Sequence, residues 1–174
     1  MKPRVDNITM RLCRLLPFCW ALFLAAGCHS APIQNDPFAA DRAAIVRLLN
    51  DYTAAADGFD AQAFAGLFLP EATFVTYRDG NPVRRAYGNE DILSQMLTRN
   101  ARMQADGITS RHALGASGIE FLGPDRALVR TPLTVTWQYP GEPAPRPIYT
   151  GEYREIVVRT PAGWRFEQCE AWLD

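Results

Sequence analysis

Helical spacing near the start, followed by long runs of alternating residues, predicts an α+β fold for this 174-residue chain. Ile45, Leu48, Leu49, Tyr52 and Ala56 recur at helical spacing and mark the buried stripe of a first helix. Ala127, Val129, Thr131, Leu133, Val135, Trp137 and Tyr139 alternate with Arg130, Thr134, Thr136 and Gln138, as a strand with one buried face requires. Turn signals at Gly123-Pro124-Asp125 and Pro161-Ala162-Gly163 divide the second half into an antiparallel meander. A sheet this long, wrapped around a few helices, leaves an open end lined by the first helix. A pocket belongs there.

The first helix is expected to start after Asp36-Pro37 or at Asp41 and to end at Gly58. Asp60 is placed to cap a short second helix, 61–68. Residues 71–78, rich in Thr, Phe, Val and Tyr, read as a strand that turns at Asp79-Gly80-Asn81 into a partner at 82–87. Asn89 is read as the cap of a third helix, with Glu90 and Asp91 in its first turn and Ile92, Leu93, Met96 and Leu97 on its inner face. Strands follow at about 109–121, 126–139, 147–159 and 163–173. Pro132 cannot donate to a ladder, so it implies a bulge or an edge. The segment GEPAPRP at 141–147 reads as a stiff hairpin loop.

The first residues belong to a different design. Lys2, Arg4, Arg11 and Arg14 precede an apolar run at 15–27, which is shorter than the ~20 residues of a membrane-spanning helix. A basic head, a short apolar run and small residues describe a secretory signal at 1–27. Ala25-Ala26-Gly27-Cys28 resembles a bacterial lipobox, which implies a lipid on Cys28, a polar tether at 28–36 and a domain at 37–174. The expected location is outside the cytoplasm, anchored on the periplasmic side of a membrane. A signal cut near Cys28 without lipid, and a start at Met10, are the alternatives.

Beyond that signal, Cys28 and Cys169 are the only cysteines. Once Cys28 is acylated, no disulfide can form inside the domain. An unpaired Cys169 suits an oxidising compartment if it is buried and inert. From Cys28 onward the chain holds 14 arginines, no lysine and 18 acidic residues. That balance gives no basic stripe for nucleic acid. The missing lysine excludes Schiff-base chemistry, pyridoxal attachment and a phosphate-cradling P-loop within the domain.

His112 is the only histidine of the domain, too few for the multi-histidine sets of catalytic zinc or non-haem iron. Ser117, in Gly115-Ala116-Ser117-Gly118, lacks the spacing of a nucleophile elbow and reads as a small residue at a strand bend. Tyr52, Asp57 and His112 each have a plain structural role available: core packing, local backbone bonding and a satisfied core imidazole. Their combination is more telling. The stretch YTAAADGFDAQAFAGLFLPEATF at 52–74, with Arg111-His112, Gly151-x-Tyr153 and Gly163-Trp164-Arg165-Phe166, resembles the SnoaL-like branch of the nuclear transport factor 2 (NTF2-like) superfamily.

That resemblance implies a cone: a curved antiparallel sheet wrapped around three N-terminal helices. It also implies that Tyr52, Asp57 and His112 converge in the cone as the catalytic groups of a cofactor-independent dehydratase or cyclase. A carboxylate beside an imidazole fixes its tautomer, and a tyrosine hydroxyl polarises a carbonyl. Such a set suits a lyase or isomerase acting on a small, hydrophobic, oxygenated ligand. Phe59, Phe74, Tyr77, Trp137 and Tyr153 are the expected lining. The chain departs from many relatives at Ala116 and Ser117, where an asparagine follows the histidine, and from some dehydratases at Thr134, Thr136 and Gln138, where a second acid stands. The rival reading is a non-catalytic cell-envelope module that binds a hydrophobic ligand or a protein. Pairing of cones through the outer sheet face, giving a homodimer, is a further implication.

Overall fold

The computed structural model describes residues 36–174; the expected signal at 1–27, the expected lipid site Cys28 and the expected tether as far as residue 35 lie outside the described residues. The domain runs α1 (Ala39–Asp57), α2 (Ala61–Ala65), β1 (Phe68–Arg78), β2 (Asn81–Tyr87), α3 (Asn89–Ala105), β3 (Thr109–Leu114), β4 (Gly118–Gly123), β5 (Arg126–Gln138), β6 (Arg146–Thr160) and β7 (Gly163–Leu173). The α+β expectation holds. No described helix is long and apolar enough to cross a membrane.

The strands form one curved, unclosed sheet in the order β2-β1-β7-β6-β5-β3, with β4 also on β5. One feature departs from the expected antiparallel sheet: β1 and β7 run parallel, Phe74 opposite Cys169 and Tyr77 opposite Trp172. The sheet is therefore mixed. Hairpin signals report only neighbours in sequence, and this pairing joins the first strand to the last.

Local chemistry explains most boundaries. The Asp60 carboxylate accepts from the Ala63 amide at 2.8 Å and caps α2. Asp79 and Gly80 both take positive φ, 49° and 74°, the geometry that a two-residue hairpin demands. Helix α3 starts differently from the sequence reading. Gly88, at φ +81°, is its cap, while the Asp91 carboxylate accepts from the Tyr87 amide at 3.0 Å. Its buried face is also rotated to Ile92, Met96, Asn100 and Met103, leaving Leu97 51% exposed.

The strand expected at 109–121 is two strands, β3 and β4, split at residues 115–117. Pro132 gives the reason. Gly115 donates to the Pro132 carbonyl at 2.8 Å, so that edge of β5 faces the break. Proline lacks a donor there, and the partner strand is interrupted where the ladder bond is missing. Ser117 sits in the break with its hydroxyl 2.9 Å from that of Thr131.

The core lies inside the curve. Tyr52 is at its centre, with ring centroids 4.7 Å from Phe64, 5.3 Å from Tyr153 and 5.6 Å from Phe166. The contacts with Tyr153 and Phe166 are edge-to-face, and such pairs add to the area term of aromatic burial. The outer face is mixed in character: Leu128 pairs with Ile156 in register, but Arg130 pairs with Arg154 and Pro132 with Glu152.

Candidate active site

Helix α1 turns Tyr52 inward and ends in Asp57, one residue before its cap Gly58. That end faces β3. The Asp57 carboxylate then takes two hydrogen bonds from one residue: Oδ2 accepts from the His112 backbone amide at 2.9 Å, and Oδ1 lies 2.6 Å from His112 Nδ1. Both side chains are largely buried, 13% exposed for Asp57 and 9% for His112. A carboxylate only accepts, so Nδ1 carries the proton, and Nε2 is the nitrogen available to act as base. The two-point attachment fixes the imidazole's position as well as its tautomer.

His112 borders a cavity of about 830 Å³ inside the cone, with Tyr52, Phe74, Leu133, Trp137 and Tyr153 among its walls. The Tyr52 ring lies edge-on to the imidazole at a centroid distance of 6.5 Å. Burial pushes the Tyr52 and Tyr153 phenols up, Tyr52 well above its ordinary value. Both stay neutral. Tyr52 is thus suited to hydrogen-bonding an oxygen rather than to giving up its proton.

Two expected lining residues are elsewhere. Tyr77 stacks flat on Trp172 at 4.0 Å, side by side in the β1–β7 register. Strand alternation sends Phe74 and Thr76 into the cavity and Tyr77 to the opposite face. Phe59 occupies the turn between α1 and α2 at φ +58° and is half-buried outside the cavity wall. Phe74, Trp137 and Tyr153 do line it. Among the described residues, no group of three or more His, Cys, Asp or Glu side chains is placed to hold a metal ion.

Sequence reasoning passed over two features. The first is a row of arginines on the cavity wall, Arg78, Arg84, Arg99 and Arg102. The clue was present, since Arg84 follows the two-residue period from Pro82 to Ala86, but an arginine in a short edge strand reads as solvated. The second is Glu155, 1% exposed, on the inner face of β6 opposite Cys169. Its Oε1 lies 3.9 Å from the Cys169 sulfur, and its Oε2 has no partner. Burial raises the Glu155 carboxyl to about 8 and drives the Cys169 thiol well above its usual range. Cys169 is inert, as expected of a buried thiol.

Glu155 makes stability pH-dependent in a defined direction. Its folded value of about 8 lies above the ordinary glutamate value of 4.5, so the folded state holds the proton more tightly. The contribution is complete below that lower value and is lost as pH rises through the folded one. Urea unfolding should show stability falling by a few kcal/mol between about pH 5 and 8. Glu155→Gln, which mimics the protonated acid, should flatten that slope. Parallel pH profiles for both proteins would contradict this account.

Solved structures share this fold. An NTF2-like protein with a cystatin-like fold from Novosphingobium aromaticivorans matches at TM-score 0.65 and 27% identity, over 77% of this chain and 82% of that one. A protein from the same organism, provisionally designated a scytalone dehydratase, matches at TM-score 0.64 and 20% identity, over 78% and 85%. Another, provisionally designated the β subunit of an aromatic-ring-hydroxylating dioxygenase, matches at TM-score 0.66 and 15% identity, over 78% and 90%. These likenesses establish the fold, which hosts unrelated activities. No functionally curated protein matches the sequence. Residues 37–170, most of the chain, match the SnoaL-like domain, and the protein belongs to that family.

Proposed function

We propose that the domain is a cofactor-independent lyase or isomerase that removes a proton next to a carbonyl of a small hydrophobic ligand. The observation that carries this reading is the Asp57–His112 pair, bonded at 2.6 Å, with His112 in the wall of a cavity of about 830 Å³. His112 Nε2 takes the proton, Asp57 stabilises the imidazolium, and the neutral Tyr52 hydroxyl bonds to the enolate oxygen. Each of these groups contributes ~10²–10⁴-fold when well placed. The likeness to a protein designated a dehydratase agrees with this class of chemistry.

Proton exchange tests it without knowing the natural substrate. Aromatic ketones and β-hydroxyketones incubated with the domain in D2O should lose their α-proton NMR signals faster than in buffer. His112→Gln should bring that rate to background. If wild type and His112→Gln exchange equally across such a panel, the domain binds its ligand without transforming it.

The proposal extends to location and assembly. Export by residues 1–27 and acylation at Cys28 would hold the domain on the periplasmic side of a membrane. Mass spectrometry of the membrane fraction should then find a lipidated Cys28, and Cys28→Ser should remove the lipid. Pairing through the outer sheet face would give a dimer of the 19.4 kDa chain's domain, which light scattering measures. An unlipidated mature protein, or a monomer, would overturn the respective part.

A further inference from the structure

The arginines of the cavity wall have no partners to neutralise them. Arg78, Arg84, Arg99 and Arg102 all border the cavity, against one acid, Asp106. Among the described residues, none of the four makes an ion pair. Some of the chain's other arginines show what the alternative looks like: Arg126, Arg154 and Arg159 each hold a carboxylate at 3.0 Å or less. Among the described residues, Arg47, Arg85, Arg111, Arg130 and Arg165 also make no ion pair, but they are not part of the cavity wall.

Arg84 and Arg99 stand apart from the others because they are partly enclosed. Arg84 lies over the Phe74 ring at 5.0 Å, and its buried Nε has no acceptor. Arg99 donates to the Ala56 carbonyl at 3.4 Å and to Asn100 Oδ1 at 3.1 Å, so it is held against the end of α1. Burial lowers the Arg99 guanidinium from its usual range, and repulsion from Arg84 adds to that effect. Trp137 Nε1, on β5, is another buried donor of the same cavity without an acceptor.

Buried donors left unpaired cost roughly 1–3 kcal/mol each, and more when charged. A ligand that supplies acceptors and a negative charge removes that cost. A planar carboxylate fits a guanidinium in two-point fashion. The aromatic and aliphatic walls, Phe74, Leu133, Val135 and Tyr149, favour an apolar body over a small, strongly hydrated inorganic anion.

We propose that Arg84 and Arg99 form an anion subsite in the cone, and that the ligand is an aromatic or similarly apolar molecule carrying a carboxylate. This deepens the reading above by naming the substrate class of the same cavity. The carboxylate sits on the α3–β2 side, and the rest of the molecule extends towards Tyr52 and His112. The arginines determine specificity and orientation; they do not move the proton.

Binding measurements separate this from the catalytic proposal. With 2-naphthoate and 2-naphthamide as probes of equal shape, calorimetry should show the carboxylate binding at least about 10-fold more tightly. That preference should shrink as salt rises, though less steeply than for exposed charges. Arg84→Gln and Arg99→Gln should each erase most of the preference while leaving the amide's affinity nearly unchanged. Arg84→Lys, which keeps the charge, should retain part of it. Equal affinity for the two probes, no binding of naphthoate at millimolar concentration, or an undiminished preference in both glutamine variants would each overturn the subsite. Loss of proton exchange with the preference intact would instead remove only the catalytic reading.

Discussion

Asp57→Asn is expected to lower the rate of α-proton exchange by roughly 10²–10⁴-fold while the affinity for the bound ligand changes little. The asymmetry follows from when the carboxylate is needed. Before proton transfer the imidazole is neutral, and a neutral asparagine can still accept from the His112 amide, the bond that Asp57 Oδ2 makes at 2.9 Å. When the proton reaches Nε2, the ring becomes a cation in a largely buried place. The negative charge 2.6 Å from Nδ1 is then the term that lowers the barrier. Asparagine supplies no charge and can turn its NH2 towards Nδ1, which favours the wrong tautomer. Unfolding by urea should differ from wild type by no more than about 1–2 kcal/mol, since packing is retained. Tyr52→Phe should cost less than Asp57→Asn, because its loss removes one neutral hydrogen bond. Exchange at the wild-type rate in Asp57→Asn would remove the acid–base pair from the mechanism. A parallel fall in rate and ligand affinity would show that Asp57 shapes the cavity rather than acting in the reaction.

What the sequence made legible here was whatever local pattern controls. The stripe of Ile45, Leu48, Leu49 and Tyr52 places α1, and all four are buried. The alternation of β5 sends Ala127, Val129, Thr131, Leu133 and Val135 inward, again all buried. Asp60 caps α2 because an N-cap acts within its own turn. The parallel pairing of β1 with β7 had no such local signal: it joins segments about 95 residues apart through the curvature of the whole sheet. The same holds for Tyr77. Period-two alternation assigns it the face opposite Phe74, but only the β7 register reveals Trp172 as its stacking partner. Phe59 was misplaced for a different reason, because a residue at positive φ in a two-helix turn follows neither helical nor strand periodicity. The Asp57–His112 geometry was visible only through resemblance, since 55 residues separate the two. Glu155, Arg84 and Arg99 ran against expectation: charged side chains are usually solvated, and here the tertiary structure buries the first and partly encloses the other two.

Gly151→Ala should be the most damaging single methyl group in the domain, destabilising it by more than about 4 kcal/mol or preventing folding. Gly151 sits in β6 at φ +153°, opposite Leu173 of β7 and Leu133 of β5. A Cβ built on its backbone would lie 1.9 Å from the Trp172 carbonyl oxygen and 3.1 Å from the Leu173 Cα. A flexible side chain would swing away from such a contact, but these are main-chain atoms. Relief requires moving β6 from β7 at the point where Asp174 donates to the Thr150 carbonyl at 2.9 Å and closes the end of the ladder. The strain reaches the cavity as well. Tyr149 and Tyr153 flank Gly151 on β6, and both contribute to the cavity wall. Displacing that stretch pulls the Tyr153 ring from its place 5.3 Å from Tyr52, so a folded remnant should also bind naphthoate more weakly. Gly123→Ala provides the control, since a methyl group added there would meet no atom within 4 Å and its effect should stay within about 0.5 kcal/mol. Urea unfolding of the two variants beside wild type decides the matter. A Gly151→Ala midpoint equal to that of Gly123→Ala would mean that β6 and β7 separate at this position without cost, and that the close approach does not hold the two strands in register.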